Sequence, residues 1–279
     1  MIESTTGAQR ASTHRMRGLI GLLLASFLLA LTATVTVAAS TSVPPKVKVV
    51  VIVGPVSETT GRYISIAKSL AARARSYGAT VLEIYSPNAT WARVKSATKG
   101  ANLVIYLGHG NGSPSPYAGG QTSHNGLGLN ATASGSNSNV RYYGETSVAS
   151  SIRLAKNAVV ILNHLCYASG NNEWGKGNPT KSVAMQRVDN YGEGFLEAGA
   201  AAVFAEGITD PGYIITSLFK TNHTMSEIFW ASSSAQHSYA ISFSSRKVAG
   251  AKVLMDPYEP SRYYRSVVGR LTATAADWR

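Results

Sequence analysis

Cysteine is nearly absent: Cys166 stands alone among 279 residues. No internal disulfide can form, so a core must hold without a covalent staple. Neither a Cys-x-x-Cys pair nor a His-x-x-x-His pair is present, so His109, His124, His164 and Cys166 lack the short spacing of a zinc site, and no metal or other cofactor is expected. Acids are scarce as well. Against 26 Lys and Arg there are 14 Asp and Glu, a formal charge of +12, and +10 of it lies beyond residue 39. Such an excess suits anionic partners, but the cations fall singly or in pairs, as at Arg73 and Arg75 or Arg246 and Lys247, rather than in a dense run interleaved with aromatics. A nucleic-acid surface is therefore not expected. Heptads, internal repeats and a second long hydrophobic run are also missing, which leaves out coiled coils, solenoids and multi-span membrane folds.

What is present begins with a leader. Arg10, Arg15 and Arg17 precede an uncharged run from Gly18 to Ala39 that ends on Val37, Ala38 and Ala39. That layout is a secretory signal, with cleavage after Ala39 or Ser40. The run is also long enough to span a bilayer as an uncleaved anchor. Under both readings the positive-inside rule puts the rest of the chain outside the cytoplasm, secreted or membrane-anchored. Residues 40–46 read as a linker, and residues 47–279, in a chain 44% hydrophobic and 14% charged, as one domain able to bury a core.

Past the linker, apolar β-branched runs alternate with helical periodicity. Strands are expected over 47–54, 79–87, 101–108, 157–165 and 201–207, the first a short apolar, β-branched run of the kind buried on both faces. Between them, Ala67, Leu70 and Ala71 fall at helical spacing with Lys68, Arg73 and Arg75 facing outward. Further helices are expected over 88–100, near 144–155 and over 179–198, then at 212–220 and 224–233. Residues 111–140, rich in Gly, Ser, Asn and Pro, read as a loop far longer than an ordinary connection. From Tyr239 onward the pattern is ambiguous, with a hairpin of 239–245 and 251–256 the best reading. This alternation specifies an α/β fold: a parallel, doubly wound sheet flanked by helices on both faces, of the flavodoxin-like kind. In that architecture ligands sit outside the carboxyl ends of the strands.

Two reactive side chains fall at that edge. His109 follows the third strand between Gly108 and Gly110, and Cys166 ends the fourth. If those strands are neighbours, about 4.8 Å apart, an imidazole and a thiol can act on one substrate atom, the thiolate as nucleophile and the imidazole as acid and base. A lone cysteine is more often a small core hydrophobe, and a lone histidine a turn residue. Their coincidence at one edge favours chemistry. His164, two residues before the cysteine, is the alternative partner. Glu206 and Asp210 follow the fifth strand at the same edge. If they face the cleft they are substrate-binding acids that favour a basic residue before the scissile bond; otherwise Asp210 caps the next helix. The Gly-His-Gly-Asn-Gly stretch lacks the lysine of a phosphate loop.

A hydrophobic strand ending in His109-Gly110, followed by a second ending in Cys166, resembles the caspase-like cysteine peptidases, the group that includes caspases, legumains, gingipains and CHAT domains. The interval of 57 residues is similar to the roughly 50 that separates the pair in caspases, and residues 192–207 look like the CHAT and gingipain stretch leading into the next strand. The resemblance covers about 47–207. It implies a caspase-like fold, His109 as general acid and base, Cys166 as nucleophile, the main-chain amides of Gly110 and Cys166 as oxyanion donors, and a peptide or protein substrate. The rival expectation is an extracytoplasmic recognition module that keeps the scaffold without catalysis.

Overall fold

In a computed structural model that describes residues 47–279, the strands are β1 (Lys48–Val53), β2 (Thr80–Tyr85), β3 (Leu103–Leu107), β4 (Leu127–Asn130), β5 (Val140–Tyr143), β6 (Ala158–Asn163), β7 (Ala200–Glu206), β8 (Ile241–Ser244), β9 (Lys252–Met255) and β10 (Arg265–Gly269). The helices are α1 (Thr60–Ser76), α2 (Trp91–Thr98), α3 (Glu145–Ser151), α4 (Lys181–Glu197), α5 (Gly212–Lys220), α6 (Met225–Trp230) and α7 (Ala275–Trp278). The leader and the linker lie outside the described residues. Among those described, no helix is long and apolar enough to cross a membrane.

Eight strands form one sheet in the order β2-β1-β3-β6-β7-β10-β9-β8. The first five are parallel, and their order is that of the flavodoxin-like sheets. Alternation on each strand sends side chains to two separate cores. Val50, Ile52, Tyr106 and Leu162 pack under α2, α3 and α4, while Val51, Ile105, Ile161 and Phe204 pack under α1, α5, α6 and α7. Both faces being covered explains why β1, β3, β6 and β7 are continuous apolar runs rather than alternating ones, whereas the edge strand β2 carries Glu83 and leaves Thr80 and Leu82 exposed.

Two features depart from the sequence reading. The sheet is mixed, because β10, β9 and β8 add to it antiparallel beyond β7. β9 and β8 are the expected hairpin, but β10 inserts between β7 and β9. Its Arg265 hides it from a hydrophobic search, although all five of its residues are buried. The segment 111–140 is not a plain loop either: β4 pairs antiparallel with β5 and lies across the ends of β1 and β3. A Cβ on Gly54, just past β1, would sit 2.2 Å from the Gly128 carbonyl oxygen. The hairpin therefore fills the crevice at the point where the strand order reverses, the usual ligand position in such sheets, and open space shifts toward β6. Within this hairpin Asn130 is buried; it accepts from the Ala89 N–H through Oδ1 and donates to the Ser86 hydroxyl through Nδ2.

Candidate active site

The pair His109 and Cys166 is placed by register. Leu107 is paired with Asn163 across β3 and β6, so the two strands leave the sheet side by side and carry both residues to one edge. Beyond its last paired residue each chain turns. The β6 end is tied to β7 through the main chain of Glu206, whose carbonyl accepts from the His164 N–H at 2.9 Å and from the Asn163 side chain at 2.8 Å. The β3 end is held by Tyr106. Its hydroxyl lies 2.7 Å from the Gly128 carbonyl and 3.0 Å from the His109 carbonyl, sharing one proton between them, and accepts from the Gly128 N–H at 3.0 Å.

The two turns touch. A Cβ on Gly110 would come within 2.1 Å of the Cys166 carbonyl oxygen, and one on Gly112 within 2.3 Å of the Tyr167 Cβ. Only glycine permits this approach, which accounts for the glycines after His109. Gly110 is buried, yet among the described residues neither its main-chain N–H nor that of Cys166 donates a hydrogen bond. Buried donors are ordinarily paired. The unpaired N–H of buried Gly110 and that of half-buried Cys166, beside a thiol, are the kind of donors a developing oxyanion requires.

His109 and Cys166 are both half-buried. No hydrogen bond joins their side chains. Burial pushes the thiol up to about 11, the Glu173 carboxylate adds to the rise, and the nearby main-chain N–H of Trp174 opposes it. Burial likewise holds the His109 imidazole below its usual value, with Glu173 acting against that. The resting pair is therefore a thiol and a neutral imidazole, not an ion pair. Tyr63, Tyr142 and Tyr191 stand around the cysteine, their phenols raised first by burial and next by the thiol.

Cys166 opens onto a cavity of about 910 Å³ whose walls include Tyr63, His164, Glu173, Trp174 and Tyr264. His164 faces the same cavity by a route the sequence did not indicate. It has left the strand, with φ of 60°, stacks on Tyr63 at 5.3 Å between ring centroids, and brings Nδ1 within 3.1 Å of the Gly207 carbonyl. Its pKa is lowered, chiefly by burial. The other candidate ligand, His124, is buried with its Nε2 unpartnered. Among the described residues no three His, Cys, Asp or Glu side chains gather as a metal would require.

Glu206 corrects an expectation. Its side chain is fully buried, with both oxygens accepting from Arg265 Nε at 3.2 and 3.1 Å and Oε1 from the Tyr213 hydroxyl at 2.6 Å. Arg265 also reaches Asp256 and the Phe229 carbonyl. A carboxylate so enclosed has no face left for a substrate, and the basic-residue preference that depended on it goes with it. Asp210 is exposed and accepts from the Gly212 N–H at 2.9 Å at the start of α5. It lines a different cavity of about 540 Å³.

The residues that sequence reasoning missed lie just after the cysteine. Glu173 accepts from the Tyr117 hydroxyl at 2.9 Å and from the Tyr167 hydroxyl. The buried Arg187 of α4 lies over the Tyr167 ring at 4.7 Å and donates to the Asn171 carbonyl and the Asn172 side chain at 2.8 and 2.7 Å. One signal was available: Glu173 is the lone acid between Glu145 and Asp189, a stretch centred on the cysteine.

No family model matches the chain. No curated protein matches it. Among solved structures, it is similar to a secreted C11 cysteine protease from Bacteroides thetaiotaomicron, determined with an irreversible peptide inhibitor, at a TM-score of 0.36 and 9% identity. That alignment covers 76% of this chain and 66% of the protease, just under two thirds of its length. A protein from Geobacter sulfurreducens is similar at a TM-score of 0.31 and 13% identity, over 66% of this chain and 87% of that one. The caspase-like resemblance thus stands on the His-Gly and cysteine strand ends rather than on these alignments.

Proposed function

We propose that the protein is an exported cysteine-nucleophile hydrolase that cleaves peptide bonds with His109 and Cys166. The observation that carries the reading is the meeting of two neighbouring strand ends, one bearing the imidazole and the other the thiol, with Gly110 pressed against the Cys166 main chain and both N–H groups unpaired. The arginine-flanked run at residues 10–39 supports export.

Chemically, the Cys166 sulfur adds to the scissile carbonyl as its proton passes to the His109 imidazole. The carbonyl oxygen, now negative, accepts from the Gly110 and Cys166 N–H groups. Collapse expels the amine, which takes the proton from His109, and leaves a thioester. Water, deprotonated by His109, then adds to the thioester, and the thiolate leaves and recovers its proton. Because the resting pair is neutral, the proton transfer accompanies attack instead of preceding it.

A second reading, a recognition module without catalysis, is favoured by one observation: the thiol pushed up to about 11 is a poor nucleophile as it stands. Hydrolysis of a mixed peptide library separates the two. The hydrolase reading expects cleavage by the wild type that is lost in both Cys166→Ala and His109→Ala, while the module reading expects none in any of the three.

A further inference from the structure

The segment after the cysteine is held far more firmly than a surface loop needs to be. Residues 171–177 run beside the thiol, and 171–176 share the wall of its cavity. They begin after Gly170, with φ of +97°, and contain Gly175, with φ of +78°, two positions where glycine gives the chain freedom to pivot. Between these points the segment is tied on three sides. Tyr117 holds Glu173 from the segment that leads into β4, Tyr167 holds it from the cysteine turn, and Arg187 holds Asn171 and Asn172 from α4. Arg187 also donates to the Pro114 carbonyl at 2.7 Å, so the same guanidinium braces the segment on which Tyr117 sits. Outside these ties the segment is open, with the Trp174 side chain 93% exposed.

We propose that Glu173 is a positioning residue for Cys166: clasped between Tyr117 and Tyr167, it latches residues 171–177 beside the cysteine and keeps the nucleophile at rest until the latch opens. This deepens the hydrolase reading and rests on it for the meaning of rest and release. The charge argument agrees with the geometry. The carboxylate is the one acid on the cavity wall, and an anion beside a thiol disfavours the thiolate. Displacing the segment removes that anion and admits solvent, which both favour the thiolate and outweigh the loss of the Trp174 N–H, the smallest of the three influences. Glu173, Trp174 and Lys176 line the same cavity as the sulfur, so a peptide that fills it contacts the latch, and occupancy and release are coupled.

The test reads thiol chemistry rather than peptide cleavage. Iodoacetamide alkylates Cys166 as the thiolate attacks carbon and iodide leaves, and with one cysteine in the chain mass spectrometry counts the event without ambiguity. Glu173→Gln removes the charge while retaining an acceptor. Tyr117→Phe, at a half-exposed side chain where folding is not at stake, removes one tie and leaves the charge. The latch predicts alkylation about three- to tenfold faster near neutral pH in Glu173→Gln, with the pH profile moved downward. It also predicts faster alkylation in Tyr117→Phe and faster amide exchange over 171–177 in both variants. Alkylation in both variants equal to or slower than the wild type overturns it. Faster alkylation in a protein whose wild type cleaves no peptide keeps the latch and removes only the peptidase reading.

Discussion

At the ends of β7 and β10, Arg265 meets acceptors on nearly every donor, from Glu206, Asp256 and Tyr213 to the Phe229 carbonyl. At the ends of β3 and β6, on the same edge of the same sheet, the His109 and Cys166 side chains make no hydrogen bond to each other, both are half-buried, and Cys166 opens onto a cavity. Both clusters hold groups that are costly to bury. The first meets the cost by matching each charge, as buried ions must, and nothing is left over for a ligand. The second leaves its groups neutral and its main-chain donors unmatched, a state that favours a visitor. Reactive residue types alone do not distinguish a site from a support; unmet bonding capacity does.

The comparison can be broken most forcefully at Arg265. Arg265→Met leaves Glu206 and Asp256 buried without their cation, and a loss of about 3–5 kcal/mol is expected, measured by chemical denaturation. A loss below about 1 kcal/mol would mean that the cluster is no support.

A smaller effect sharpens the same contrast. Burial raises the Glu206 carboxyl to about 7, with Arg265 and Tyr213 opposing. A folded value above the unfolded one, about 4.3, means that the fold retains the proton longer. Its stabilising contribution is therefore complete below about pH 4.3 and fades as pH rises through about 7. His109 and His164, both lowered, act in the opposite direction, but equally in a variant that retains them. Melting temperatures of the wild type and Glu206→Gln across this window should show the wild type losing ground to the variant as pH rises. Parallel curves would put the titration elsewhere.

Legibility in the sequence followed the same division. The five parallel strands and their helices were readable because each is a run of apolar residues bounded by turn residues, as in 48–53 and 158–163. β10 was not, since Arg265 and Ser266 in a five-residue strand defeat any hydrophobic pattern while their satisfaction is tertiary. The β4–β5 hairpin was hidden for a related reason: Gly128 and Asn130 read as loop, yet Asn130 is buried because Ser86 and the Ala89 N–H, some forty residues earlier, satisfy it. Cys166, His109 and their glycines were legible at the edge, as residue types that the strand ends had no structural need for. Glu206, the acid expected to face substrate, is locked under Arg265, and the acid near the thiol, Glu173, comes from a segment whose course only the fold reveals.

The smallest effect expected is on stability at the cysteine itself. Cys166→Ala should shift the unfolding free energy by no more than about 0.5–1 kcal/mol, since a half-buried thiol at a cavity leaves little void. A loss of several kcal/mol in the same denaturation experiment would return the residue to the core and close the difference between the two clusters.

The central claim, that the open pair performs chemistry, is tested most directly by a peptide-like acylating probe directed at thiols, with the adduct mapped by mass spectrometry in the wild type and in His109→Ala. The account predicts stoichiometric labelling of Cys166 in the wild type and labelling at least tenfold slower in His109→Ala, since the imidazole takes the thiol proton during attack. Labelling at the same rate in both proteins, or none in either, would contradict it.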